Sequence, residues 1–137
     1  MSKSFVVDAS IGLAWVHPSQ ATPQADSLLA AIEAGAKVVV PAIWFTETAN
    51  ALLVLERRKK LTGSERKKAL SRLGALAVSM DDECRLAFTT VSELAAEHGL
   101  SVYDASYLEL AVRRQLPLAS RDGPLREAVE RCRLPLF

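Results

Sequence analysis

The sequence predicts an α/β fold, a three-layer sandwich in which a central, mostly parallel sheet lies between two layers of helices. Three observations predict this class. Short apolar runs, beginning with Phe5–Val7 and Val38–Val40, have the length and composition of buried strands. Helical patterns follow these runs, and no two runs are joined by a hairpin turn. Parallel strands joined by helices are covered on both faces, so this order indicates a central sheet between helices.

The length and composition indicate one domain, residues 1–137. The chain has 137 residues, 50% hydrophobic and 24% charged, which suits one core rather than two ordinary domains. With a formal net charge of +1, the molecule as a whole would not attract a polyanion, so nucleic-acid binding would depend on local clusters. Cys84 and Cys132 lack C-x-x-C spacing, which argues against a disulfide framework or a zinc site. No signal peptide or membrane span is predicted, and we expect a cytoplasmic protein.

Local signals place the helices and the remaining strands. Thr22 and Pro23 suit the first positions of a helix, and Gly35 suits its left-handed end. Thr62 and Glu65 form the pattern of a capping box. The predicted helices span residues 10–16, 22–35, 42–60, 62–76, 81 or 82 to 98, 101–115 and 124–131. Two further short strands are predicted at residues 118–119 and 134–137.

Four acidic residues lie where the predicted strands end or the following helices begin. Asp8 ends the first strand and Asp122 follows a later one, while Glu47 and Asp104 lie in the first two turns of helices. Ligands of open α/β sheets collect outside the carboxyl ends of the strands, so these four side chains are expected to converge there. Clustered carboxylates repel one another unless protons or cations lie among them, and hard oxygen ligands favour Mg²⁺ or Mn²⁺. The pattern therefore predicts a site for divalent cations.

Each acid also has a structural interpretation. Asp8 and Asp122 are both placed to cap the helices that follow them. Asp104 completes an S-x-x-D capping pattern with Ser101. Glu47 lies in an otherwise apolar half-helix, where burial without a partner is costly, so a functional role is favoured for it. Taken singly, none of the four establishes a site.

Three polar residues near the acids are candidates for orienting them. Asn50 lies three residues after Glu47 and therefore shares its helix face, where its amide could orient a carboxylate or a water molecule. Ser10 and Ser120 each lie two residues from an aspartate and could do the same.

The order and context of the four acids resemble those of the PIN-domain nucleases and, among them, the VapC-type toxins. The resemblance runs from about residue 4 to the C-terminus. It rests on the segments Val7-Asp8-Ala9-Ser10, Glu47-Thr48-Ala49-Asn50, Leu100-Ser101-Val102-Tyr103-Asp104-Ala105 and Leu118-Ala119-Ser120-Arg121-Asp122. Ser120 departs slightly from the family pattern, which more often has threonine there, but a hydroxyl is retained.

The resemblance implies a metal-dependent endoribonuclease that uses Mg²⁺ or Mn²⁺. Its catalytic and metal-binding residues would be Asp8, Glu47, Asp104 and Asp122. It also implies RNA as substrate, inhibition of translation, a cognate VapB-type antitoxin as partner, and a homodimer.

RNA bound beside a negative site needs positive charge nearby. Arg121, adjacent to a proposed metal ligand, is the residue most expected to contact phosphate. Arg113 and Arg114 are further candidates, and the densest basic supply is the run that includes residues 57–60 and 66–68. The alternative for that run is an ordinary solvated helix end, since basic residues are favourable there.

Rival functions have weaker support from the residues. A phosphoacceptor domain needs a late lysine, but none follows Lys68, and a haloacid-dehalogenase-like phosphatase needs an aspartate where Ser10 stands. Neither G-x-G-x-x-G nor G-x-x-x-x-G-K is present, which argues against a nucleotide-binding module. The more serious alternative is a PIN-like fold that is catalytically weak and only binds protein or RNA.

Overall fold

A four-stranded parallel sheet forms the centre of the protein. The computed structural model describes residues 3–135. The strands are β1 (Ser4–Val7), β2 (Lys37–Pro41), β3 (Val78–Asp81) and β4 (Leu118–Ala119). Their order in the sheet is β3-β2-β1-β4, and each neighbouring pair is parallel. The predicted α/β class with a parallel sheet is confirmed.

The helices of the described residues form two packed groups, one on each side of the sheet. They are α1 (Ala9–Val16), α2 (Pro23–Glu33), α3 (Ile43–Arg57), α4 (Gly63–Gly74), α5 (Thr90–His98), α6 (Val102–Arg114) and α7 (Gly123–Arg131). Helix α1 contacts α2, α3 and α4, whereas α6 contacts α5, α7 and the central strands β1 and β2. This is the three-layer arrangement predicted from the sequence. Within residues 3–135, no helix is long and apolar enough to span a bilayer.

Capping side chains set the helix beginnings as the sequence predicts. The Thr22 hydroxyl accepts a hydrogen bond from Ala25 N at 3.1 Å. Thr62 and Glu65 form the reciprocal capping box, with distances of 2.9 and 3.0 Å. These bonds satisfy amide groups that have no partner within their own helix.

The region between α4 and α5 differs from the prediction. The sequence indicates one helix from Asp81 or Asp82 to His98, but the structure has strand β3, a 3-10 helix at Cys84–Phe88, and then α5. β3 lies at the edge of the sheet and is mostly exposed, so it lacks the apolar run that identifies a buried strand. β3 forms because it pairs with β2. The periodicity of a single segment gives no information about such pairing.

Two other predicted boundaries also differ or lie outside the described part. Helix α3 ends at Arg57 rather than residue 60, because Lys59 adopts a positive φ of 58° that a right-handed helix excludes. Of the strand predicted at residues 134–137, Leu134 and Pro135 are not in a strand, and the last two residues lie outside the described range.

Close packing of α1 on α3 positions the end of β1. Trp44 is almost fully buried, and its indole N–H donates to the carbonyl oxygen of Asp8 at 3.1 Å. A Cβ added to Gly12 would lie 2.9 Å from Trp44 Cζ2 and 3.3 Å from Thr48. The absence of a side chain at Gly12 therefore permits the close approach of the two helices.

Gly12→Ala is expected to destabilise the protein, although alanine is the better helix former. The added methyl group collides with a buried ring, and overpacking of this kind costs about 1–3 kcal/mol, against a helix-propensity gain of up to about 1 kcal/mol. Chemical denaturation would measure the change. Gly74→Ala is the matched control, because no atom lies within 4 Å of its added Cβ; equal effects of the two substitutions would contradict this account.

A buried carboxylate ties β3 to α6. Asp81 accepts hydrogen bonds from Arg113 at 3.1 and 2.8 Å and from Arg114 at 2.7 Å. Arg113 also pairs with Glu109 at 2.8 Å on the same helix. The hydrogen bonds from Arg113, with those from Arg114 and the backbone, outweigh burial and lower the pKa of Asp81 to about 2.

Asp81→Asn should reduce stability at neutral pH and have no such effect near pH 2. The folded pKa of Asp81 lies near 2, below the unfolded value of about 3.9. The stabilisation is therefore complete above about pH 4 and is lost as the pH falls through about 2. We expect a loss of about 1–3 kcal/mol at pH 7, measured by denaturation as a function of pH. Asp82→Asn, at an exposed neighbour, is the control, and a pH-independent difference for Asp81→Asn would contradict the electrostatic cause.

Candidate functional site

Asp8 lies at the carboxyl end of β1 and begins helix α1. Its side chain accepts a hydrogen bond from Ile11 N at 3.3 Å, so it is the N-cap of that helix. Its side chain is buried. The structural interpretation of Asp8 as a cap is therefore correct. It does not exclude a functional role, because the nearby charge of Asp104 also acts on the pKa of this carboxyl group.

Two serines hold the Asp8 carboxylate in place. Ser10 Oγ donates to Oδ1 of Asp8 at 2.5 Å, and Ser120 Oγ donates to Oδ2. Each serine oxygen in turn accepts a backbone N–H, from Arg121 for Ser10 and from Asp122 for Ser120, both at 2.9 Å. The two serines thus connect Asp8 to the loop after β4 and hold its carboxylate in this orientation.

Glu47 is held by a tyrosine that the sequence analysis did not identify. Tyr107 is buried on α6 and donates its hydroxyl hydrogen to Glu47 Oε1 at 2.6 Å. Glu47 is half-buried on α3. The two residues are 60 positions apart, so nothing in their local sequence indicates that they meet. The only available signal was a tyrosine at an apolar position of α6, because a buried tyrosine hydroxyl usually has a hydrogen-bond partner.

Asp104 and Asp122 lie at the beginnings of two helices. The backbone N–H of Asp104 donates to Ser101 Oγ at 3.0 Å, in the first turn of α6. Asp122 caps α7 by accepting from Leu125 N at 3.0 Å. The capping interpretations of both aspartates are confirmed in this respect. Both side chains remain partly exposed and can also take other partners.

The acids influence one another electrostatically. Burial raises the pKa of Asp8, against the hydrogen bonds of its two serines, and the charge of Asp104 raises it further. Burial, then the charges of Asp104 and Asp8, raise the pKa of Glu47 in spite of the bond from Tyr107. Burial and the nearby charge of Asp122 raise the pKa of Asp104. The four carboxyl groups therefore form one coupled cluster of negative charge at the carboxyl edge of the sheet.

The chemistry of this cluster suits a hard divalent cation, but its spacing does not make a complete set of ligands. All donors are carboxylate oxygens, and none of the four acids forms an ion pair with a basic residue of the described chain. However, no three His, Cys, Asp or Glu side chains within residues 3–135 are grouped so that they could together hold a metal ion. A cation bound by three or more of the acids would require at least one side chain to rotate inward.

Two of the other residues proposed from the sequence, Arg121 and Asn50, are exposed. Arg121 is exposed beside Ser10, and its guanidinium donates to the carbonyl and side-chain oxygens of Gln20 at 2.9 and 2.8 Å. Asn50 is exposed one turn after Glu47, and its orienting role stays a prediction.

Most of the other basic candidates lie away from the acids. Arg113 and Arg114 pair with Asp81 instead of standing free for RNA. The exposed run at residues 57–60 lies at the far end of α3, roughly 15 Å along the helix axis from Glu47. These residues are therefore unsuited to the phosphate at the acids themselves.

Comparisons with known proteins identify the family. The family model described as "PIN domain" matches residues 5–130. Among solved structures, the crystal structure of PAE2754 from Pyrobaculum aerophilum is similar, with a TM-score of 0.72 and 23% sequence identity. The match covers 93% of this chain and 86% of that one. At this identity the likeness shows a shared fold. No curated protein matches the sequence.

Asp104→Asn should stabilise the protein at neutral pH in the presence of a chelator. The folded pKa of Asp104 is raised by burial and by Asp122, so its charge costs stability as the pH rises from about 3.9 through that raised pKa. We expect the melting temperature at pH 7 to increase by up to a few degrees and the increase to vanish at about pH 3, where both proteins are neutral at this position. Thermal melts over this pH range would measure it.

Asp82→Asn, which removes an exposed charge near β3, is the control for this effect. A lower melting temperature for Asp104→Asn at pH 7 would show that the charge of Asp104 is balanced by favourable contacts.

Proposed function

The chain belongs to the PIN-domain family, and on that premise we propose that it is a metal-dependent endoribonuclease. PIN domains are in general metal-dependent nucleases, so membership indicates a nuclease-type function. The observation that carries the proposal is the cluster of Asp8, Glu47, Asp104 and Asp122, which are coupled by charge and have no described basic partner. Such a concentration of negative charge is best explained by a function that uses cations.

We assign distinct roles to the residues of the cluster. Asp8 and Asp104, joined by Glu47 after rotation of its side chain, would hold a first Mg²⁺ or Mn²⁺ ion, and Asp122 would complete the site when RNA binds. When bound, the cation would supply a Lewis acid that lowers the pKa of water and neutralises charge on the phosphate. Ser10 and Ser120 keep Asp8 in one orientation, and Tyr107 restrains Glu47.

The substrate phosphate would approach from the side of Arg121. This residue is exposed and anchored to Gln20, and its own backbone N–H is bonded to Ser10. The backbone of Arg121 is therefore held beside the Ser10–Asp8 pair, and its guanidinium is held at Gln20 before RNA arrives, which limits the conformational entropy lost on binding. The basic run at the end of α3 would contact phosphates farther along the strand, and each phosphate contact makes the affinity fall with salt.

The finer assignment is a VapC-type toxin of the cytoplasm, neutralised by a VapB-type antitoxin and acting as a homodimer that inhibits translation. The resemblance of the four segments around the acids supports it. Exposed apolar side chains, Phe88 and Met80 foremost, supply surface for protein partners. A small apolar cavity of about 150 Å³ between α3 and α4, lined by Phe45 and Leu73, would accept one apolar side chain of an antitoxin helix.

Purified protein without a partner should cut a mixed cellular RNA pool when Mg²⁺ or Mn²⁺ is present and not in chelator. Asp8→Asn and Asp104→Asn should each lower the rate at least a hundredfold, because each removes a charged ligand. Water rather than the ribose 2′-hydroxyl attacks in this mechanism, so the ends should be 5′-phosphate and 3′-hydroxyl. Sequencing and end-labelling of the fragments would measure both.

Controls separate this activity from its alternatives. Asp82→Asn should cut at the normal rate. Fragments that end in 2′,3′-cyclic phosphate would exclude the mechanism. If well-folded, metal-loaded protein cut no RNA, the fold would instead serve as a binding module for RNA or protein.

A further inference from the structure

The carboxylate of Glu47 is held by a buried tyrosine on α6. The hydroxyl of Tyr107 donates to Glu47 Oε1 at 2.6 Å. This tyrosine is 1% exposed, so its hydroxyl has little access to water. A buried hydroxyl that loses its partner costs free energy, because no water replaces the lost hydrogen bond. The bond therefore resists any movement of Glu47 away from Tyr107.

Glu47 is also the acid best able to complete a cation site by rotation. In the described part of the chain, no three acidic, histidine or cysteine side chains are grouped so that they could hold a cation together. Asp8 is fixed by hydrogen bonds from two serines and from Ile11 N. Glu47 has a longer side chain than an aspartate, with one more rotatable bond. Within the described residues, the bond from Tyr107 is the hydrogen bond that opposes its rotation.

The charges around Glu47 favour the contact with Tyr107 when no cation is bound. Burial raises the pKa of Glu47 most, and the negative charges of Asp104 and Asp8 raise it further. Both effects disfavour the carboxylate, and a hydroxyl that donates to it offsets part of this cost. A divalent cation at Asp8 and Asp104 would reverse the sign of the charge that Glu47 meets. The carboxylate would then be attracted toward the acids that otherwise repel it.

We propose that Tyr107 is a positioning residue that holds Glu47 outside the cation site until a divalent cation draws the carboxylate toward Asp8 and Asp104. This inference rests on the proposed metal-dependent function and adds the order in which the site is completed. Asp8 and Asp104 bind first, and Glu47 joins them by giving up the bond from Tyr107. The loss of that bond lowers the affinity of the complete site for the cation.

Removal of the tyrosine hydroxyl should tighten cation binding. Tyr107→Phe keeps the buried ring but removes the bond, so Glu47 can rotate without breaking it. We expect Mn²⁺ to bind about three- to tenfold more tightly, which is the effect of one hydrogen bond. Electron paramagnetic resonance of free Mn²⁺, with the full chain and no RNA, would measure the dissociation constant. Tyr103→Phe is the matched control, because Tyr103 is 60% exposed on the same helix, and it should leave the affinity unchanged.

A second background shows whether the effect acts through Glu47. Glu47→Gln supplies a neutral amide, which a hard cation attracts much less than a carboxylate. Tyr107→Phe should therefore change the Mn²⁺ affinity of the wild type and leave that of Glu47→Gln the same within about twofold, as a double-mutant cycle. The chain contains two tyrosines, so labelling with ¹³C at Cζ gives two assignable signals. Saturating Mg²⁺ should shift the Tyr107 signal in the wild type and shift it much less in Glu47→Gln.

The outcomes distinguish this inference from the nuclease proposal, because neither measurement requires cleavage. The expected Mn²⁺ affinities in a protein that cuts no RNA would support the inference and overturn the nuclease proposal alone. Unchanged affinity of Tyr107→Phe would overturn the inference, and weaker binding would overturn it by showing that the bond holds Glu47 in its ligating position. An equal gain in the Glu47→Gln background, or folded wild-type protein that binds no Mn²⁺, would also overturn it.

Discussion

The burial of one carboxylate at the end of a central strand is the constraint on which this site depends. Asp8 follows β1, whose last three residues are almost completely buried, and its own side chain has little contact with solvent. A buried charge is tolerated only with hydrogen bonds to replace water. Ser10, Ser120 and Ile11 N supply them. The same bonds set the beginning of α1 and the path of the loop after β4, so the geometry of the edge follows from satisfying this group.

Two aspartates of this chain show how the surrounding residues raise or lower the pKa of a buried carboxyl group. Asp8 and Asp81 both end strands of the same sheet and are similarly buried. Arginines on α6 lower the pKa of Asp81, whereas burial and the charge of Asp104 raise the pKa of Asp8. The first arrangement is complete and contributes stability. The second retains the cost of burying a charge, with a smaller repulsion from Asp104, which is the usual cost of a functional site.

The sequence predicts the parts of this structure that depend on local signals. The parallel direction of the strands, the capping box at Thr62 and the location of acids at strand ends and helix beginnings all follow from short patterns. Contacts between distant residues do not, which is why β3 and the bond from Tyr107 to Glu47 were missed. The pairing of Arg113 and Arg114 with Asp81 was missed for the same reason, so those arginines were named as candidates for contacting RNA near the acids. Local patterns identify which charged groups lie at the carboxyl edge of the sheet. Only the folded structure shows which of these groups already have hydrogen-bond or ion-pair partners.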